Sequence, residues 1–182
     1  MKVYRTLNSI PVIHEPIAIA IGIFDGIHKG HQYLLSILKT KAEKTAIITF
    51  HNHLKSSHKN HLPLMKEAEK LLSLEKLGTH YCLDLNFIEE IQNLTYMEFL
   101  DLLLQKFPNL QTIVLGENAT IGKNQEGSIH NLKKYAEGKS FSIEAIPLYQ
   151  WKQITVSSTY IRNLIKHDET KLANALLSNK SF

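Results

Sequence analysis

Short apolar runs alternate with amphipathic stretches along the chain. Five runs, IAIAIGIF (17–24), TAIITF (45–50), YCLDL (81–85), QTIVL (111–115) and FSIEAIPL (141–148), have the length of strands. Between them, apolar residues recur at helical spacing over 31–44, 64–77, 95–107 and 128–137. Two shorter helices are predicted at 158–166 and 169–178, with Asp168 capping the last. Thr95 with Glu98 makes a capping box, and Ser128 is a good N-cap. Gly78 and Gly138 stand where a helix needs a left-handed residue to end.

Strand–helix alternation implies right-handed crossovers and a parallel sheet covered on both faces. The predicted fold is therefore α/β: a doubly wound, five-stranded parallel sheet with helices on both faces. Such sheets bind ligands at the carboxyl ends of strands, where the strand order reverses. In the first strand, Ile17, Ile19, Ile21 and Ile23 point one way, and Ala18, Ala20 and Gly22 the other. The small side chains at 18 and 20 let a helix pack closely. Gly22, at the strand end, is expected to let a ligand approach.

Composition narrows the choice mainly by exclusion. The chain has 182 residues, 43% hydrophobic and 21% charged, which fits one globular domain over 1–182. A net charge of +4 with no dense lysine–arginine block argues against nucleic acid and suits a small anionic ligand. Cys82 is the only cysteine, so no disulfide framework exists. The N-terminus lacks the apolar core of a signal peptide, and the longest apolar run is too short to span a bilayer. A cytoplasmic protein without a membrane partner is expected. Nothing in the sequence speaks to its oligomeric state.

The stretch IGIFDGIHKGHQ (21–32) carries the first candidate chemistry. His28 and His31 fall three residues apart, predicted in the first turn of the first helix and so on one side of it. A helix start offers unpaired N–H groups and a positive dipole end, a ready anion site. Gly26 permits the tight turn, and Gly30 lets a phosphate come close between the imidazoles. A second helix start follows at VSSTYIR (156–162), with Ser157, Ser158 and Thr159 at the cap and Arg162 one turn on. Two anion cradles suit a triphosphate: one for the reacting phosphate, the other for the departing pyrophosphate.

An early H-x-G-H and a late S-S-T-x-x-R in a doubly wound domain resemble the nucleotidylyltransferase superfamily. The longer stretch GIFDGIHKGHQ (22–32) is similar to the FAD synthetase (FMN adenylyltransferase) domain of bacterial bifunctional riboflavin kinase/FMN adenylyltransferases. TFHNH (49–53), LGENATIGKNQEG (115–127), SSTYIR (157–162) and LANALLSNKSF (172–182) fit the same family in the same order. The resemblance implies that ATP and FMN react to give FAD and pyrophosphate, with Mg2+ accompanying ATP and a riboflavin kinase domain absent. It makes His28, His31 and Arg162 the catalytic candidates. Gly22, Ile23, Phe24, Asp25 and Gly30 would line the nucleotide site, and Ser157, Ser158 and Thr159 would hold the outer phosphates. Phe50, His53, Asn118, Ile121 and Gly122 would lie toward the flavin.

The flavin side departs from the family pattern. The usual T-F-x-P-H-P reads TFHNHL here, and F-x-F-G reads Ala119-Thr120-Ile121-Gly122, without its two aromatic residues. Ile23 stands where Asn is common, and Ser128 where Asp is common. These changes keep two alternatives open: the same chemistry on another acceptor, or a relative that binds nucleotide or flavin without turnover. His51, His53, His58 and His61 crowd one loop, which reads as polar substrate-binding chain rather than a zinc or nickel site; no metal ligand is assigned.

Overall fold

In the computed structural model, which describes residues 1–51 and 63–177, all five predicted runs pair into one parallel sheet. They form β2 (Ile17–Ile21), β3 (Lys44–His51), β4 (Tyr81–Asn86), β5 (Leu110–Gly116) and β6 (Ser142–Ile146). The expected five strands are corrected to six. The chain's first strand, β1 (Lys2–Tyr4), lies at the edge beside β4, with Lys2 opposite Tyr81 and Tyr4 opposite Leu83. Three residues are too few for a hydrophobic period, and Val3 remains exposed, so backbone pairing rather than burial makes this strand.

The sheet order is β1-β4-β3-β2-β5-β6. From β2 the chain moves outward through β3 and β4, then returns to the other side of β2 with β5 and β6. The order reverses between β2 and β5, and the carboxyl ends there mark the crevice of a doubly wound sheet. Among the described residues the α-helices are α1 (Lys29–Leu38), α2 (Glu67–Lys76), α3 (Glu89–Gln92), α4 (Tyr96–Lys106), α5 (Ile129–Ala136), α6 (Ser158–Lys166) and α7 (Thr170–Leu176). A small hairpin of β7 (Gln150–Trp151) and β8 (Ile154–Thr155) precedes α6. Its turn residues, Lys152 and Gln153, both have positive φ without being Gly or Asn, so the usual hairpin signal is missing from the sequence.

The alternation in β2 divides the core as the pattern predicts. Ile17, Ile19 and Ile21 pack with Phe99, Leu103 and Leu132 on one face. Ala18 and Ala20 meet Leu35, Leu38 and Leu74 of α1 and α2 on the other. A third cluster, with Val156, Ile161, Leu164 and Leu176, joins α6 to α7.

Most predicted helix ends hold. Thr95 and Glu98 exchange both capping-box bonds, Ser128 caps α5, and Gly78 and Gly138 have φ of 81° and 74°. Two boundaries change. The first helix covers Lys29–Leu38 rather than 31–44, because the N–H and hydroxyl of Thr40 both bond back to Ile37 O, at 2.9 and 2.7 Å, and close it. Asp168 does not cap α7. With φ of 60° it ends α6: Asp168 N donates to Ile165 O at 3.2 Å and Glu169 N to Leu164 O at 2.9 Å.

Gly122 has φ of 88°, and an added Cβ would fall 2.4 Å from Tyr96 N; at Gly138, nothing lies within 4 Å. Gly138→Ala should therefore cost about 1–2 kcal/mol for conformation alone. Gly122, with ψ of 170°, sits in a region essentially reserved for glycine, so Gly122→Ala should cost about 1–3 kcal/mol for conformation and about 1–3 kcal/mol more for overpacking. Urea unfolding should show the larger drop in midpoint for Gly122→Ala. Equal drops would mean that the contact with Tyr96 carries no weight.

Candidate active site

Past Ile21 the sheet ladder gains one more bond, Gly22 N to Ile48 O at 3.0 Å, and then the chain turns sharply. Phe24, Gly26 and Ile27 have φ of 52°, 83° and 38°. Left-handed backbone at Phe and at β-branched Ile is unfavourable, so the surroundings must impose it. They do: Phe24 and Ile27 are fully buried against Leu35 and Leu38 of α1. Gly26 suits the positive φ this turn needs, and a Cβ there would stand 2.8 Å from Leu177 Cδ2 at the end of α7.

Asp25 ties this turn to the rest of the molecule. Its carboxylate accepts Leu64 N–H at 2.9 and 3.1 Å and pairs with the guanidinium of Arg162 on α6. Its carbonyl accepts the Ser158 hydroxyl at 3.0 Å. Burial pushes the Asp25 carboxyl up, opposed by the Leu64 N–H and by the Arg162 charge.

His28 is the N-cap of α1, one position before the first turn where the sequence reading put it. Its Nδ1 accepts His31 N–H at 3.3 Å. The two imidazoles stack with centroids 3.7 Å apart and 16° between planes, and the Phe24 ring lies 5.1 Å from His31. Gly30 makes room for this: a Cβ there would come within 3.1 Å of the His28 ring and 3.3 Å of Val156 O. Burial lowers the His28 pKa to about 4, with the nearby Arg162 charge pushing the same way. Burial, and then His28, hold His31 well below its usual value. Both rings are therefore neutral near pH 7. Since Nδ1 of His28 accepts a hydrogen bond, its proton sits on Nε2. His31 Nδ1 is buried with no hydrogen-bond partner among the described residues.

At the second helix start, Ser157 is the N-cap of α6 and its Oγ accepts Tyr160 N–H at 3.1 Å. The two helix starts open on one cleft of about 310 Å³, lined by Gly22, Ile23, Phe24, His28, Gly30, His31, Tyr33, Tyr149, Ser157 and Ser158 among others. A second cleft of about 420 Å³ adjoins it, with Phe50, Phe87, Phe99, Thr120, Ile121 and Gly122 in its lining. Ile21, Gly22, Ile23 and Ala119 border both. Gly22 is kept bare in part by Phe24, whose ring edge would be 3.2 Å from a Cβ.

Some predicted site residues stand elsewhere. Asp25, Asn118, Thr159 and Arg162 line neither cleft; Arg162 sits behind the turn on Asp25, while Asn118 and Thr159 are exposed. His53 and the histidine-rich stretch at 52–62 lie outside the described residues. Tyr33, Tyr149, Phe87 and Phe99 line the clefts without being singled out from sequence. Tyr149 follows directly on the carboxyl end of a predicted strand and Phe87 lies two residues past another, which was the readable signal; Phe99 looks like any core residue of a helix. Among the described residues, no three His, Cys, Asp or Glu side chains group to hold a metal ion, and no helix is long and apolar enough to cross a membrane.

Residues 10–160 match the family model for FAD synthetase. The chain belongs to the FAD synthetase family. Among the relatives of this FAD synthetase family member, the bifunctional riboflavin kinase/FMN adenylyltransferase of Buchnera aphidicola (from Acyrthosiphon pisum) is 32% identical over 97% of the chain and 59% of the relative. That of Bacillus subtilis is 30% identical over 90% of the chain and 54% of the relative. The chain thus spans little more than half the length of these relatives. In structure it is similar to a macrolide-efflux protein from Streptococcus pneumoniae (TM-score 0.81, 26% identity, 96% of this chain and 59% of that one). It also shares its fold with pantothenate synthetase from Thermus thermophilus (TM-score 0.67, 12% identity, 97% and 72%).

The neutral histidines have a consequence for stability. Their folded pKa values lie below the unfolded value of about 6.5, so between there and pH 4 the unfolded chain binds more protons. Their contribution is complete above about pH 6.5 and is lost as pH falls toward 4. The wild-type melting temperature should drop more steeply over that range than that of His28→Asn, whose amide can still cap α1. Parallel profiles would contradict a buried neutral His28.

Proposed function

We propose that this chain transfers AMP from ATP to FMN, giving FAD and pyrophosphate. The observation that carries the reading is the pair of adjoining clefts: one lined by both histidines and fed by two helix starts, and one with an aromatic wall, meeting at Ile21–Ile23 and Ala119. A nucleotide in the first and a flavin in the second would bring the two phosphates together at that shared wall. Membership of the FAD synthetase family and the bifunctional relatives support the same choice of donor and acceptor.

In the reaction, an FMN phosphate oxygen attacks the α-phosphorus of ATP. The bond from that phosphorus to the bridging oxygen breaks, and pyrophosphate leaves with the electron pair. The protein's part is alignment and charge stabilisation. His28 and His31 donate hydrogen bonds to the α-phosphate oxygens from fixed, stacked positions, so they need no reorganisation as charge develops. The N–H groups at the start of α6, with Ser157 and Ser158, receive the outer phosphates. Arg162 acts from behind, through Asp25 and through its positive field.

The acceptor cleft answers the missing aromatics of the 119–122 loop. Phe50 and Phe87 meet edge-on at 5.4 Å, and Phe99 completes an aromatic wall for an isoalloxazine ring. Mg2+ would arrive on the triphosphate. Asp25, the carboxylate beside the histidines, is engaged by Arg162 and Leu64, so the described residues do not form a cage for the ion, and no step is routed through it. Cys82 is buried and its thiol pushed up to about 12 by burial and then by Asp84; an inert thiol suits the reducing cytoplasm proposed as its location.

Incubation with ATP, magnesium and FMN should yield FAD and pyrophosphate in equal amounts, resolved by chromatography. His28→Ala and His31→Ala should each lower turnover about 100- to 1000-fold, the effect of losing one transition-state donor. Pyrophosphate released with another acceptor but not with FMN would move the reading to a different acceptor. Flavin binding without turnover would refute the transfer reaction.

A further inference from the structure

A buried ionic chain stands behind the turn, and the reaction described above does not use it. Asp84 on β4 has no exposed surface; its carboxylate receives Lys70 Nζ at 3.1 Å and the guanidinium of Arg5. Lys70 on α2 is only 8% exposed, and its ammonium also donates to Thr49 Oγ1 at 3.3 Å. Thr49 on β3, fully buried, donates its own hydroxyl to the Ile23 carbonyl at 2.8 Å.

Stability does not account for this chain, since apolar residues of similar volume usually serve a core as well as a buried ion pair or better. Its position does. The β2–β3 backbone ladder ends with Gly22 N on Ile48 O, and one residue on, the carbonyl of Ile23 takes a side-chain hydroxyl. Phe24 follows at once in left-handed conformation. An ammonium that donates to the Thr49 oxygen leaves the hydroxyl proton to go elsewhere, and the Ile23 carbonyl receives it. Ile23 borders both clefts.

We propose that Lys70, held by Asp84, is a positioning residue: through Thr49 it fixes the Ile23–Phe24 peptide and with it the wall between the two clefts. Its effect on turnover rests on the AMP-transfer reading; its effect on the peptide does not.

The sequence contains a single Ile–Phe peptide, at 23–24. Labelling isoleucine carbonyls with 13C and phenylalanine nitrogens with 15N therefore gives one correlation in an HNCO spectrum, which reports this peptide alone. Thr49→Val and Lys70→Met should shift that peak in the same direction, Thr49→Ser should leave it at the wild-type position, and Thr49→Val with Lys70→Met should move it no further than Thr49→Val alone. In the FAD assay, each disruptive single variant should lower kcat about 10- to 100-fold, the scale of a small misplacement at the reacting centre. The double variant should be no slower than the slower single. A peak unmoved by Lys70→Met, or shifts and rate losses that simply add, would overturn the proposal. If the wild type makes no FAD, the transfer reading fails while the peak still decides this one. Should Lys70→Met not fold, Lys70→Met with Asp84→Leu removes both buried charges together and carries the same expected shift.

Discussion

The ion pair between Asp25 and Arg162 joins two segments 137 residues apart, and the site exists only where those segments meet. One is the turn between β2 and α1, at the point where the sheet reverses. The other is the start of α6, which belongs to a cluster of its own with α7 and does not extend the sheet. Asp25 also holds Leu64 N–H, and its carbonyl holds the Ser158 hydroxyl, so three connections converge on one residue. Without them, each helix start would be an ordinary helix start. Together they face one cleft.

The same anchoring explains how the turn tolerates its backbone. Positive φ at Phe24 and Ile27 is maintained by burial on one side and by Asp25, Thr49 and the packing against Leu177 on the others. The histidines benefit from the same closeness. Stacked and neutral, with His28 buried, they present N–H donors without the hydration a surface imidazolium would carry, and an arriving phosphate would favour their charged form. A preorganised donor pair is what a reaction with little covalent work for the protein requires.

Much of this was legible in the sequence, and the missing parts share a physical cause. Periodicity reports which face of an element is buried, so the division of β2 into an isoleucine face and an alanine face is visible from residues 17–22 alone. H-x-G-H and S-S-T-x-x-R mark two helix starts because each needs particular residue types at fixed local spacing. What periodicity does not report is which side chains meet across the fold. Asp25 reads as a ligand because it lies among ligands; only the fold shows it turned to Arg162. β1 and the β7–β8 hairpin are too short for any period, and Lys70 looks like a surface lysine of a helix that begins with glutamates. Asp84 was the one readable hint of the buried network, a charge inside the otherwise apolar run YCLDL. Residue 53, expected near the flavin, lies outside the described chain.

The central claim is that Asp25 works as a strut. Its most direct test is the ATP affinity of Asp25→Asn, measured by calorimetry, because charge and architecture predict opposite signs. Removing a negative charge beside the proposed phosphate site should, by Coulomb's law alone, tighten ATP binding. If the carboxylate instead holds α6 to the turn, the change separates the two helix starts, and affinity should fall about tenfold or more, a loss of about 1.4 kcal/mol. Unchanged or tighter binding of ATP by Asp25→Asn would contradict the account.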